Sequence, residues 1–183
     1  GSGAAFVAGG TSAGTAIVVE SGQTVFELLL AAKGSAIKGI SIKTRLGYSG
    51  QTAGYGIYSD TTFHLDQVYV EGFALDGVYF EGNPGSNSDL STASKVYSYG
   101  NQRDGFHLNG GGDTNVITTI NCTGYSNGRH NFYDAGFGNI HINSHAVSAG
   151  QVNTITATIA GTVTGSGSPQ VVTLSNVTDI AIG

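Results

Sequence analysis

An internal repeat limits what this chain can fold into more than any other feature. Tyr99-Gly100-Asn101-Gln102-Arg103-Asp104-Gly105-Phe106 returns 26 residues later as Tyr125-Ser126-Asn127-Gly128-Arg129-His130-Asn131-Phe132. Tyrosine, asparagine, arginine and phenylalanine recur at matched places, and a looser copy ends at Asp76-Gly77-Val78. A period of this size, written in β-forming and turn residues, means that one small unit is stacked on the next.

Around the repeat the chain divides into short runs that alternate with period two. The pairs Ile40/Ile42, Val68/Val70, Val96/Ser98, Ile120/Cys122 and Ile140/Ile142 are predicted to point inward. From Ile40 through Val68, Val96 and Ile120 to Ile140 the steps are 28, 28, 24 and 20 residues. A second family of strands, with Ile57, Val78, Phe106 and Phe132 inward, steps by 21, 28 and 26. Two interleaved strand families with no helical period between them predict an all-β chain. Residues 15–150 read as a right-handed parallel β-helix, a solenoid of about seven coils. Residues 1–14 read as an irregular N-terminal segment. Residues 151–183 alternate without the repeated phrase and read as a less regular β-rich segment: further coils, a hairpin, or the start of a truncated element. The strand pattern runs on to Ile182, so the chain reads as a piece of something longer.

Composition narrows the function classes. At 183 residues the chain suits one domain. Apolar residues make up 39% and charged residues only 10%, which is too apolar for disorder. The formal charge is −5, and seven scattered lysines and arginines do not supply the phosphate-neutralising patch of a nucleic-acid binder. No apolar run approaches the ~20 residues of a membrane-spanning helix, so membrane insertion is not expected. The lone Cys122 excludes an intrachain disulfide.

The interleaved pattern resembles the right-handed β-helix of the pectate-lyase-like superfamily. The phrases Tyr55-Gly56-Ile57-Tyr58, Asp76-Gly77-Val78-Tyr79, Asp104-Gly105-Phe106-His107 and Asn127-Gly128-Arg129-His130-Asn131-Phe132 look most like bacteriophage tailspike proteins. The resemblance covers roughly residues 15–150. It implies a homotrimer, on a virion tail or otherwise extracellular, that recognises and in many cases cleaves a bacterial surface polysaccharide. The chain departs from the catalytic families: it has no tryptophan, and so lacks the Trp-Ile-Asp-His element of pectate lyases, and the motif elements of polygalacturonases are missing. Catalytic positions vary among tailspikes, so the resemblance transfers none.

In the expected register Tyr58, Tyr79, His107 and Tyr133 form an outward column, a ladder of rings suited to the C–H faces and hydroxyls of sugars. The plainer reading is a ladder that covers the coil surface or a subunit contact. Beside it runs a polar column of Asp76, Asp104 and His130, with Arg103 and Arg129 one step earlier. These five are the candidate catalytic residues. A carboxylate pair flanking a glycosidic bond does acid/base work, whereas in a lyase an arginine or histidine removes the proton next to a uronate carboxyl. Against both stands turn chemistry, since Asp-Gly favours bends and arginine and aspartate pair readily across coils. Asn101 and Asn127 share a column and read as an internal ladder. Asp89 and Asp113 fall in the stretches 81–93 and 109–115, which are expected to wall a groove beside the rings, with Asp113 a further substrate-binding candidate. No cofactor or metal site is implied, and a calcium ion at Asp89 or Asp113 is the one metal left open. Two other functions remain: a bacterial polysaccharide lyase or glycoside hydrolase, and a non-catalytic trimer shaft.

Overall fold

Most strands here are three residues long, because a turn-forming residue interrupts the apolar alternation within a few positions. The computed structural model describes residues 5–7, 15–20, 22–45, 52–83, 86–110 and 114–150. The segment 151–183 lies outside the described residues. Among the described residues there is no α-helix, only one 3-10 turn at Leu30–Ala32.

The strands are β1 (Ala5–Val7), β2 (Thr15–Val19), β3 (Phe26–Leu28), β4 (Ser35–Thr44), β5 (Ile57–Ser59), β6 (Phe63–Glu71) and β7 (Val78–Phe80). A small hairpin, β8 (Gly82–Asn83) and β9 (Ser86–Asn87), precedes β10 (Thr92–Ser94), β11 (Tyr97–Tyr99) and β12 (Phe106–Leu108). Then follow β13 (Thr118–Ile120), β14 (Thr123–Tyr125), β15 (Phe132–Asp134), β16 (Ile140–Ile142) and β17 (His145–Val147).

These strands form a parallel β-solenoid. The first sheet runs β2-β4-β6 and then splits at a bend into two tracks, β10-β13-β16 and β11-β14-β17. The second runs β3-β5-β7-β12-β15, and its five strands mark four full turns of chain, fewer than the seven that the sequence suggests. Within 1–14, where the sequence shows no strand, Ala5–Val7 pairs antiparallel with β2 and so covers that edge of the first sheet.

The second sheet has the register expected from the repeat. Ile57 pairs with Val78, Val78 with Phe106 and Phe106 with Phe132. The Phe106 and Phe132 rings stack 4.6 Å apart at 6°. Fully buried Phe63, Phe73, Phe80, Leu65 and Leu108 fill the interior between the two sheets.

The first sheet corrects one column. Val116 to Cys122 reads as an unbroken alternation, which places Ile120 over Val96 and Ile140 over Ile120. Instead the left-handed residues Gln67, Lys95, Asn121 and Asn143, with φ of 57°, 53°, 52° and 48°, stack beneath Gly39 at 62° and bend every coil at the same place. A left-handed residue resets the side-chain alternation, so the count starts afresh after Asn121. The true column is Ile40, Val68, Val96 and Cys122. Ile120 pairs with Ser94 below and Ile142 above, on the outward side of the bend, and Ile140 and Ile142 are exposed.

The corrected register makes a prediction. Val96→Asp places an unpaired carboxylate in the dry interior, at a cost of several kcal/mol, and prevents folding. Ile120→Asp costs about 1 kcal/mol and leaves a soluble, β-rich chain. Soluble yield and far-ultraviolet circular dichroism distinguish the two.

Candidate functional site

The repeated phrase decodes position by position. Its second residue, Gly100 or Ser126, is left-handed (φ of 60° and 51°) and turns the chain. The asparagine that follows points inward. Asn101 Oδ1 accepts from the Phe73 N–H at 3.0 Å, while its Nδ2 donates to Ser98 Oγ and to Asn127 Oδ1, both at 2.9 Å. Asn127 Oδ1 also accepts from the Asn101 N–H, and its Nδ2 donates to Asn131 Oδ1. Both asparagines are fully buried, so the expected ladder is present and holds each turn to the next.

The glycines of Asp76-Gly77 and Asp104-Gly105 serve this ladder rather than a bend. Neither has a positive φ. A Cβ at Gly77 would lie 2.7 Å from Asn101 Nδ2, and one at Gly105 would lie 2.5 Å from Asn127 Nδ2. Only glycine leaves room for the amides.

The charged residues form a second coil-to-coil clamp. Asp76 and Asp104 are fully buried. Asp76 accepts from Arg103 Nε at 3.2 Å and Nη2 at 2.6 Å, and from the Asp104 N–H at 2.9 Å. One coil on, Asp104 accepts from Arg129 Nε at 3.0 Å and from its Nη2, and from the His130 N–H at 3.1 Å. His130 stands where a third aspartate would stand, with Nδ1 3.0 Å from Asp104 Oδ1. The five catalytic candidates are therefore brought together, with both carboxylates engaged beneath the surface. Arginine and histidine make the accessible part: the side chains of Arg103, Arg129 and His130 are 33%, 47% and 41% exposed.

The ring ladder follows its expected register: Tyr58 pairs with Tyr79, Tyr79 with His107 and His107 with Tyr133. Tyr58 and Tyr79 stack 5.5 Å apart at 9°, and His107 lies 4.7 Å from Tyr79 and 4.6 Å from Tyr133. These contacts occupy the ring faces, and Tyr79 and His107 are buried. Tyr133 is 37% exposed and carries the Arg129 guanidinium 5.6 Å from its centroid. His107 Nδ1 donates to Asp104 Oδ2 at 2.7 Å and lies 3.7 Å from Asp76 Oδ2. Asp113 and its neighbours 111–112 lie outside the described residues. Asp89 Oδ1 accepts from the Asn115 N–H at 2.7 Å.

Three contributors escape a reading of the repeat. Tyr55 packs tilted against Tyr58 and Tyr79, at 5.5 and 5.2 Å. Glu81 accepts from the Tyr58 hydroxyl, the Gly82 N–H and Asn109 Nδ2. Asn131 takes the glycine position of the phrase and extends the amide ladder to the Val147 carbonyl. Asn131 and Tyr55 had a visible signal: Asn131 stands where the other copies keep glycine, and Tyr55 where Asp76 and Asp104 stand.

The environment splits the two aspartates. Burial raises Asp76, and the opposing Asp104 N–H and Arg103 do not fully offset it. Burial also works on Asp104, but hydrogen bonds from His107, Arg129 and His130 hold its carboxyl well below the usual range. Burial and the neighbouring Glu81 push the Tyr58 phenol up to about 12. Asp76, Asp104 and His107 bring ligand-type atoms within 4.8 Å of one another, close enough to share a cation. Their lone pairs already serve two arginines and two backbone N–H groups, so a cation there would have to displace them.

Compared with protein-family models, curated proteins and solved structures, the chain matches none. What stands is the fold, a parallel β-solenoid.

A carboxyl with a depressed folded-state pKa stabilises the fold above its unfolded value, about 3.9, and that support is lost as pH falls toward the folded value. Asp104 behaves so. Asp76, raised, has the opposite sign, and its ionisation opposes folding as pH climbs past the ordinary carboxylate range. Urea unfolding between about pH 6 and about pH 3 tests both. Asp104→Ala, which breaks a buried pair, loses about 3 kcal/mol at the upper end and shows a flatter acid limb than wild type. Asp76→Asn keeps the acid limb.

Proposed function

We propose that this β-solenoid is a bacteriophage tailspike-like segment that recognises a bacterial surface polysaccharide, acting as a homotrimer on a virion tail or otherwise outside the cell. One observation carries the reading. Asp104 engages Nε and Nη2 of Arg129 and Nδ1 of His130, so Nη1 of Arg129 and Nε2 of His130 remain without a partner among the described residues, beside the exposed Tyr133 ring. Donors fixed in advance lose little freedom on binding, and a ring flanked by such donors matches a sugar's apolar face and its hydroxyls. Arg103, held in the same way by Asp76 one coil earlier, extends the row along the axis.

The burial of Asp76 and Asp104 favours recognition over cleavage at this pair, because a general acid must reach the glycosidic oxygen. The two carboxylates act here as positioning residues. The resemblance to tailspikes supplies the polysaccharide, the trimer and the location, and the accessible rim is what supports it in the fold.

Arg129→Ala and Tyr133→Ala should each weaken binding to the cognate polysaccharide about tenfold; circular dichroism stays unchanged in Tyr133→Ala, whereas Arg129→Ala, which strips buried Asp104 of its guanidinium, also unfolds at lower urea. Affinity equal to wild type in both variants would contradict the recognition rim. Light scattering tests the assembly independently, and a monomer at working concentration would remove the trimer from the proposal.

A further inference from the structure

We propose a second, separate activity at the last described coil: hydrolysis of a carboxylic ester by Ser144, with His141 as the base that takes its proton through Thr119. It shares no residue with the rim around Tyr133 and does not depend on the function proposed above.

The inward columns change character at this coil. Leu65 and Ala93 lead to Thr119 and then to His141. Phe80 and Leu108 lead to Asp134. Val96 and Cys122 lead to Ser144, because the residues that follow them, Tyr97, Thr123 and His145, are register partners. Columns that are apolar in the coils below thus end in an imidazole, a carboxylate and a hydroxyl. Polar side chains that only face water at the end of a stack need no bonds to one another. These four are joined in a single line.

The line has a direction. Asp134 Oδ1 accepts from the Gly136 N–H at 2.9 Å and from Asn139 Nδ2 at 2.8 Å, which fixes the carboxylate. Its Oδ2 lies 3.1 Å from His141 Nε2. A carboxylate only accepts, so Nε2 carries a hydrogen and the neutral ring presents its lone pair at Nδ1. Thr119 Oγ1 lies 2.7 Å from that nitrogen and donates to it. Its one hydrogen is then used, so Ser144 Oγ, 3.0 Å away, donates to Thr119. The Phe132 ring, edge-on to His141 at 5.5 Å, holds the imidazole from the side. Thr119 is fully buried, whereas Ser144 is half-buried and follows the left-handed Asn143. Ser144 is therefore the hydroxyl a substrate can reach, and Thr119 is the relay. A hydroxyl linked to a base that a third group orients is the arrangement of an activated nucleophile.

Ser144 Oγ bonds to the ester carbonyl carbon while its proton passes to Thr119 and the threonine proton passes to His141 Nδ1. Asp134 stabilises the imidazolium. The bond from carbon to the alcohol oxygen then breaks, and the leaving oxygen takes the proton back along the same path. Water attacks the acyl-serine with the same proton transfers, releasing the carboxylic acid and restoring Ser144. The Ser144 N–H has no acceptor among the described residues and is a donor available to the developing oxyanion.

The test uses the intact chain with 4-nitrophenyl acetate and with a fluorophosphonate that labels activated serines. Ester turnover is expected, together with a single label on Ser144 located by mass spectrometry. Ser144→Ala should abolish both, and His141→Ala should lower both at least about a hundredfold. Thr119→Val keeps the shape of the buried side chain without its hydroxyl and should lose activity as far, whereas Thr119→Ser should restore it. Asp134, a positioning residue, should lower kcat and leave KM unchanged when replaced in Asp134→Asn. His141 is at the surface, so its alanine variant keeps the test valid even if the Thr119→Val variant does not fold. Absence of turnover or of label in the wild type, or a label on another residue, would overturn the proposal. So would full activity of Thr119→Val or His141→Ala, and so would turnover that survives Ser144→Ala, which would mean direct attack by an exposed imidazole such as His130.

Discussion

Vertical stacking of equivalent residues is the constraint on which this structure depends. Each strand satisfies its backbone polar groups on the coil above and the coil below, because parallel strands about 4.8 Å apart leave no other partner in reach. A residue's environment is then decided by its counterpart one coil away. Apolar residues become columns, rings become ladders, and a buried amide is tolerated because the next coil presents another amide at hydrogen-bonding distance. Asn101 and Asn127 show this directly: each uses its side chain to satisfy the other and the turn backbone between them. In isolation either would carry the cost of an unpaired buried polar group.

The same rule turns two buried carboxylates into anchors. Asp76 and Asp104 lie where desolvation is severe, and each accepts from an arginine and a backbone N–H of the following coil, which offset the burial of Asp76 only in part. The compensation runs in one direction along the axis, from each aspartate to the coil that follows it. Where the series reaches His130, the carboxylate is replaced by an imidazole and the guanidinium of Arg129 is half exposed. The fold and the proposed recognition surface therefore share a single device. What holds the coils in register also fixes the orientation of the groups that face solvent.

Much of this was legible in the chain, and the exceptions have physical causes. The columns Ile57–Val78–Phe106–Phe132 and Tyr58–Tyr79–His107–Tyr133 could be read because the second sheet's strands are unbroken and share one register. The alternation wrongly puts Ile120 in the inward column, because a left-handed asparagine inside an apparent alternation leaves no mark on the hydrophobic pattern. The glycines of the Asp-Gly pairs suggested bends, yet they make room for amides that arrive from the next coil, a contact that only the stack reveals. The ring column was correctly aligned but pictured as an open platform. Successive rings cover one another's faces, so the recognition proposed here falls to the rim at Tyr133 and Arg129. Tyr55 stands at the aspartate position of the first phrase, while Glu81 lies outside it and joins the site only through its contacts with Tyr58 and Asn109.

The most direct test of the stacked register is disulfide trapping in a Cys122→Ser background. Ser94 and Ile120 are register partners on adjacent coils, at a Cα spacing of about 4.8 Å that suits a disulfide. The account predicts that Ser94→Cys with Ile120→Cys cross-links on mild oxidation, while Val96→Cys with Ile120→Cys does not. Cross-linking of the second pair and not the first would mean that the bend at Asn121 does not reset the column, and the stacking described here would be wrong.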